Sequence, residues 1–169
     1  MRMTIAAESW PIAGSFTISR GSKTAADVVV VTLEADGHVG RGECVPYGRY
    51  GETVESVTSA INATLPAVKK GATRADIAGI LPPGAARNAI DCALWDLEAK
   101  QSGRPAHDTA GLAIPRPVTT AYTISLGLPE VMAAAAFEAR HRPLLKLKLG
   151  AVSPVACVDA VRKAAPDCR

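Results

Sequence analysis

The clearest pattern of apolar and polar positions runs from Ala26 to Cys44, where "ADVVVVTLEADGHVGRGEC" sets two apolar-rich runs on either side of Asp36-Gly37. Glycine accepts the positive φ that tight hairpin turns demand, so the segment predicts two antiparallel strands. From Glu52 to Val68 the apolar positions Val54, Val57, Ile61 and Leu65 recur every three or four residues, and Lys69, Lys70 and Gly71 supply a basic, glycine-terminated end. That spacing predicts one amphipathic helix. Thr73 is placed to cap a short helix reaching Leu81, which Pro82-Pro83-Gly84 stops. The longest pattern, "AARNAIDCALWDLEAKQSG", lines up Ile90, Ala93, Leu94 and Leu97 as one stripe, and its alanines imply close packing.

Beyond "GLAIPRP" the texture changes. "VTTAYTISLG" is β-rich, "PEVMAAAAFEARH" helical, "LLKLKLG" β-rich and "SPVACVDAVRKAAPD" helical again. This βαβα order predicts parallel strands joined by helical crossovers. The Gly and Pro residues clustered near 112–117 mark a boundary between an α+β part and the opening of an α/β part. Parallel sheets are covered on both faces or closed into barrels, so two such strands alone read as an incomplete sheet.

Composition narrows the function classes. The 169 residues have the length of about one domain, and 48% hydrophobic content with only 4% aromatics implies an aliphatic core of small side chains. The net charge of +3 arises from 19 basic and 16 acidic side chains scattered along the chain, a distribution that argues against a nucleic-acid partner. Cys44, Cys92, Cys157 and Cys168 form no CxxC or Cys/His zinc spacing and read as reduced thiols. Neither a signal-peptide core nor an apolar run of membrane-spanning length is present, so no membrane partner and a cytoplasmic location are expected. A homo-oligomer stays open.

The one stretch that invites chemistry is "LLKLKLG". Side chains alternate across a strand, so Lys146 and Lys148 share one face while Leu145, Leu147 and Leu149 take the other. A half-exposed strand with its polar face in water explains this without any function. A strand between crossover helices, however, is normally buried on both sides, which leaves only a barrel lumen or a sheet-end crevice for the two amines. In such a place a lysine loses its proton more readily and becomes useful as a general base.

Taken together, "SFTISRGSKTAADVVVVTLEADGHVGRGECVPYGRYGETVESV", "GAARNAIDCALWDLEAKQSG", "TTAYTISLG" and "LLKLKLG" resemble the enolase superfamily, in its muconate-lactonizing subgroup, and there the dipeptide epimerases of the L-Ala-D/L-Glu type. The resemblance covers nearly the whole chain. It implies an α+β capping domain with its junction helix at 1–113, followed at 114–169 by the first βαβα units of a (β/α)7β TIM-like barrel. It further implies that Lys148, the second lysine of the KxK strand, is the acid/base at the substrate α-carbon, with Lys146 beside the substrate carboxylate. Arg20 is implied near the substrate's far carboxylate, Thr123 as a substrate-contacting hydroxyl and Tyr50 on a loop closing over the site. Each has an ordinary alternative: a solvated loop charge, a β-favouring strand residue and a surface tyrosine. Asp91, Trp95 and Asp96 read as junction packing and helix polarity.

The implied reaction is epimerisation of a dipeptide such as L-Ala-L-Glu at its second residue. The implied cofactor is Mg2+, whose ligands, like the opposing lysine, are expected on later barrel strands than this sequence contains. No metal ligands are assigned within the chain, so the 169 residues alone are expected to be inactive. Two alternatives stand beside this reading. One is a sister reaction, muconate cycloisomerisation or o-succinylbenzoate synthesis, on the same KxK strand, and the other a non-catalytic module that recruits a partner through its open barrel edge.

Overall fold

A computed structural model describes residues 1–151 and 153–169. The chain falls into two compact units, one formed by Met1–Trp10 and Ala26–Pro115, the other by Pro11–Ala25 and Arg116–Arg169. Strands β1 (Arg2–Ile18), β2 (Gly21–Ala35) and β3 (His38–Cys44) form a sheet in that order. β2 and β3 pair antiparallel from Val29↔Cys44 to Ala35↔His38, around a turn in which Asp36 (φ 51°) and Gly37 (φ 77°) are both left-handed. Two successive positive-φ residues match the right-handed twist of the flanking strands, which is why an Asp-Gly pair occupies the turn. β1 was not expected from the sequence. It carries Pro11, which an edge strand tolerates where an inner strand would not.

The helices of the first unit are α1 (Val54–Ala63), α2 (Leu65–Lys69), α3 (Arg74–Ile80), α4 (Ala85–Ser102) and the single turn α5 (Ala106–Thr109). Thr53 and Thr73 each head a capping box, closed by Ser56 and Asp76 respectively. The single helix expected over 52–68 is two. Pro66 cannot donate to the carbonyl of Asn62, so the chain tightens at Thr64, whose amide and hydroxyl both donate to the Ile61 carbonyl, at 3.0 and 2.7 Å. The core joins Val29, Val31 and Leu33 of β2 to Val57, Ile61, Ile77, Ile90 and Leu97 of the helices.

α4 meets β3 at backbone range. A Cβ on Gly42 would lie 2.1 Å from the Ala89 carbonyl oxygen, and one on Gly40 would lie 2.3 Å from that of Ala93. The buried Ala89 and Ala93 supply the facing surface. The same helix closes the outer edge of β3 with polar side chains. Asn88 Nδ2 donates to the Glu43 carbonyl (3.2 Å), Asp96 accepts from the Arg41 amide (2.8 Å), and Lys100 donates to the Val39 carbonyl (2.8 Å). Backbone groups that an edge strand leaves unpaired are thereby satisfied. Partial burial pushes the Asp96 carboxyl up, but the Lys100 ammonium and the Arg41 amide outweigh it and hold the group below its usual value. Arg74 stacks over Trp95 (3.4 Å to the ring centroid) and pairs with Glu98 (3.0 Å) on the same helix.

The second unit contains β4 (Tyr122–Ile124), α6 (Pro129–Glu138), β5 (Leu145–Leu147) and α7 (Pro154–Ala164). The two strands are parallel, as the βαβα order predicts, and both are shorter than the β-rich runs that contain them. Ile124, Met132, Ala136, Cys157 and Val161 form its core, with Leu145 and Leu147 packed against it. All four cysteines are unpaired, and burial pushes the Cys44 thiol up to about 11. Among the described residues no helix is long and apolar enough to cross a membrane.

The close approach of β3 to α4 is testable. Gly42→Ala is expected to destabilise the chain by about 2–3 kcal/mol through overpacking against backbone that cannot retreat. Gly48→Ala, whose Cβ would meet open space, is expected to stay within about 0.5 kcal/mol. Urea unfolding of both variants reads the difference, and equal midpoints would contradict the packing described.

Candidate active site

The parallel register of β4 and β5 aligns Thr123 with Lys146, between the pairs Tyr122↔Leu145 and Ile124↔Leu147. Ile124 is buried, and Leu145 and Leu147 pack on the α6 and α7 core, so the alternation of each strand turns Thr123 and Lys146 to the opposite face. The ladder continues one step past β5, where the Lys148 amide donates to the Ile124 carbonyl at 3.0 Å. This places Lys148 on the same face as Lys146. Lys146 is exposed and Lys148 half-buried. The Lys148 ammonium sits 5.6 Å from the centroid of the Phe16 ring.

Arg20 occupies the exposed two-residue turn between β1 and β2 and belongs to the same compact unit as the lysines. The hairpin carrying it reaches the end of β4 through Ser15, Thr17, Ser125 and Leu126, with the Leu126 amide donating to the Thr17 carbonyl at 3.0 Å. Thr123, Lys146, Lys148 and the Arg20 hairpin therefore share one unit. Neither Phe16 nor Ser125 was singled out from sequence. Ser125 had a usable signal, since it lies two residues beyond Thr123, whereas Phe16 had none.

Tyr50 belongs to the other unit. It ends a 3-10 turn, Gly48–Tyr50, is 76% exposed, and lies 5.6 Å from Tyr47 between ring centroids. The loop is held from beneath by Glu52, whose carboxylate accepts from the Tyr47 amide (3.1 Å) and from the Ala85 amide at the first turn of α4 (2.7 Å). A carboxylate there satisfies one of the helix's unpaired amides and meets the positive end of its dipole. An open cleft of about 600 Å³ beside this loop is lined by Tyr47, Tyr50, Glu52 and Asn88 among others.

Among the described residues, no three His, Cys, Asp or Glu side chains come together as a group able to hold a metal ion. The carboxylates present do not fit a divalent cation, which needs several oxygen ligands converging on one point. Two amines side by side on one strand face can attract and position a carboxylate.

Comparison with known proteins is consistent across sequence and structure. Residues 1–111 match the family profile described as mandelate racemase / muconate lactonizing enzyme, N-terminal domain. The L-Ala-D/L-Glu epimerase of Escherichia coli (strain K12) is 45% identical over 162 residues, covering 95% of this chain and 50% of that protein. A solved enolase-family member from Agrobacterium tumefaciens, described as homologous to dipeptide epimerases and holding sodium and L-Ala-L-Glu, superposes with a TM-score of 0.93 at 50% identity, over 99% of this chain and 51% of that one. A dipeptide epimerase from Enterococcus faecalis V583, complexed with Mg and L-Leu-L-Tyr, gives a TM-score of 0.84 at 29% identity over 96% and 49%. The chain spans about half the length of the curated relatives it matches.

The role of Glu52 is open to a direct check. Glu52→Ala is expected to cost about 1–3 kcal/mol, because two backbone donors lose a charged acceptor. It is also expected to speed tryptic cleavage after Arg49, inside the loop, by roughly tenfold. An unchanged cleavage rate would show that the carboxylate does not hold the loop.

Proposed function

We propose that this chain, which belongs to the mandelate racemase / muconate lactonizing enzyme family of the enolase superfamily, supplies the capping domain (1–113) and the opening of the barrel (114–169) of a dipeptide epimerase acting on L-Ala-L-Glu or a similar dipeptide. The observation that carries this reading is the β4–β5 register, with Thr123, Lys146 and Lys148 on the strand face turned away from the helices. The epimerases among its relatives support the substrate class.

In this reading Lys148 removes and returns the proton at the α-carbon of the C-terminal residue. Removal of that proton puts a second negative charge on the neighbouring carboxylate, which rises in energy unless cations stand close by. Lys146, two residues away on the same face, contributes one such charge. Thr123, paired with Lys146, offers a hydroxyl to the same carboxylate end. Arg20 offers a planar guanidinium that can grip a side-chain carboxylate with two parallel hydrogen bonds. Tyr50, exposed on its tethered loop, is assigned a substrate contact. Mg2+ is supported as the family's cofactor by relatives solved with it, but the described residues do not fit it and no step here runs through it. The 169 residues by themselves are assigned no turnover. The four unpaired thiols favour a cytoplasmic setting.

The test replaces the matching half of the E. coli epimerase with this chain. The chimera is expected to exchange the Glu α-proton of L-Ala-L-Glu for solvent deuterium, and Lys148→Ala is expected to lower that rate by about 10²–10⁴-fold. A folded, monodisperse chimera without exchange, or a Lys148→Ala variant with full activity, would overturn the assignment. So would turnover by the purified 169-residue chain.

A further inference from the structure

Ser125 follows β4 directly, two residues beyond Thr123. Its hydroxyl donates to the Ser15 carbonyl at 3.0 Å and accepts from the Thr17 amide at 3.3 Å, while the next amide, Leu126, donates to the Thr17 carbonyl at 3.0 Å. These bonds close around Phe16 from both sides. Just before Ser125, the carbonyl of Ile124 accepts from the amide of Lys148, which follows the neighbouring strand β5, at 3.0 Å. Two adjacent residues at the end of β4 thus hold the hairpin through one set of bonds and the lysine backbone through another.

The Phe16 ring needs this anchoring. It is 36% exposed and belongs to neither apolar core, so its place beside Lys148 depends on the backbone on either side of it. Lys148 is an unbranched side chain with four rotatable bonds, and a ring face 5.6 Å from its ammonium attracts the cation and narrows those rotamers. A second hydroxyl pair, Thr17 with Ser22 at 2.8 Å, stiffens the hairpin itself without reaching β4.

We propose that Ser125 is a positioning residue: its hydroxyl clamps residues 15–17 onto the end of β4 and thereby fixes the Phe16 ring beside the Lys148 ammonium. The functional meaning rests on Lys148 being the acid/base group, but the clamp itself can be measured without any activity.

The experiment uses NMR on the 169-residue chain and on Ser125→Ala, Ser125→Thr and Phe16→Leu. Ser125→Ala is expected to speed amide exchange at Thr17 and Leu126 by about tenfold, as the loss of a hydrogen bond implies, with Met132 and Val161 in the core unchanged. The Lys148 ε-methylene proton signal, displaced by the Phe16 ring current in the parent, is expected to return to its ordinary position in both Ser125→Ala and Phe16→Leu. Phe16→Leu leaves the two amides as they were, and Ser125→Thr, which keeps the hydroxyl, restores both signals. Unchanged exchange in Ser125→Ala overturns the clamp. A loosened hairpin with an unmoved Lys148 signal, or no rescue by threonine, overturns the positioning role. If Ser125→Ala does not fold, Phe16→Leu decides, since an unmoved Lys148 signal there excludes the ring contact. Failure of the catalytic reading would show instead as an inactive chimera with all these signals intact.

Discussion

On β5 the direction of each side chain is fixed by its neighbours. Leu145 and Leu147 are committed to the core built by α6 and α7, so the pleat sends Lys146 and Lys148 to the other side. A slip of one residue in the pairing with β4 would bury two ammonium groups among Met132, Ala136 and Val161 and expose the leucines. The energetic gap between those arrangements is what makes the lysine face a determinate feature. Thr123 reaches the same face through its pairing with Lys146.

A different constraint organises the other unit. β3 approaches α4 closely enough that only glycine fits at 40 and 42, and small residues on α4 complete the contact. Because the helix lies so near, its polar side chains reach the strand's unpaired backbone: Asn88, Asp96 and Lys100 meet Glu43, Arg41 and Val39 in turn, alternate residues of β3. The N-terminus of the same helix receives Glu52 and so holds the loop that carries Tyr50. Packing, edge protection and loop placement therefore all depend on one helix.

Much of this could be read from the residues. The Asp36-Gly37 turn, the Thr73 cap, the α4 stripe and the βαβα order are local patterns with local causes, and each appears in the structure. The break at Thr64 was missed because the apolar spacing runs smoothly through it, although Pro66 carried the warning. β1 is hidden in the sequence because Pro11 and weak alternation, which an edge strand tolerates, do not look like a strand. At the candidate site, the two lysines were legible as a pair, since alternation alone puts them together. Their link to the hairpin was not, because hydrogen bonds between Ser125 and residues 108 or more positions away leave no trace in spacing.

Family membership and fold agree with this physical reading, and the relatives' chemistry gives the lysine face its proposed use. The most direct measurement is lysine footprinting of the chimera by reductive methylation, with and without L-Ala-L-Glu. At a dipeptide concentration of about ten times its Kd, Lys148 is expected to be protected roughly tenfold and Lys146 alongside it, while Lys69 and Lys163 react as before. Equal labelling of all four lysines in both conditions would contradict the account, because the two amines would then face solvent and no substrate.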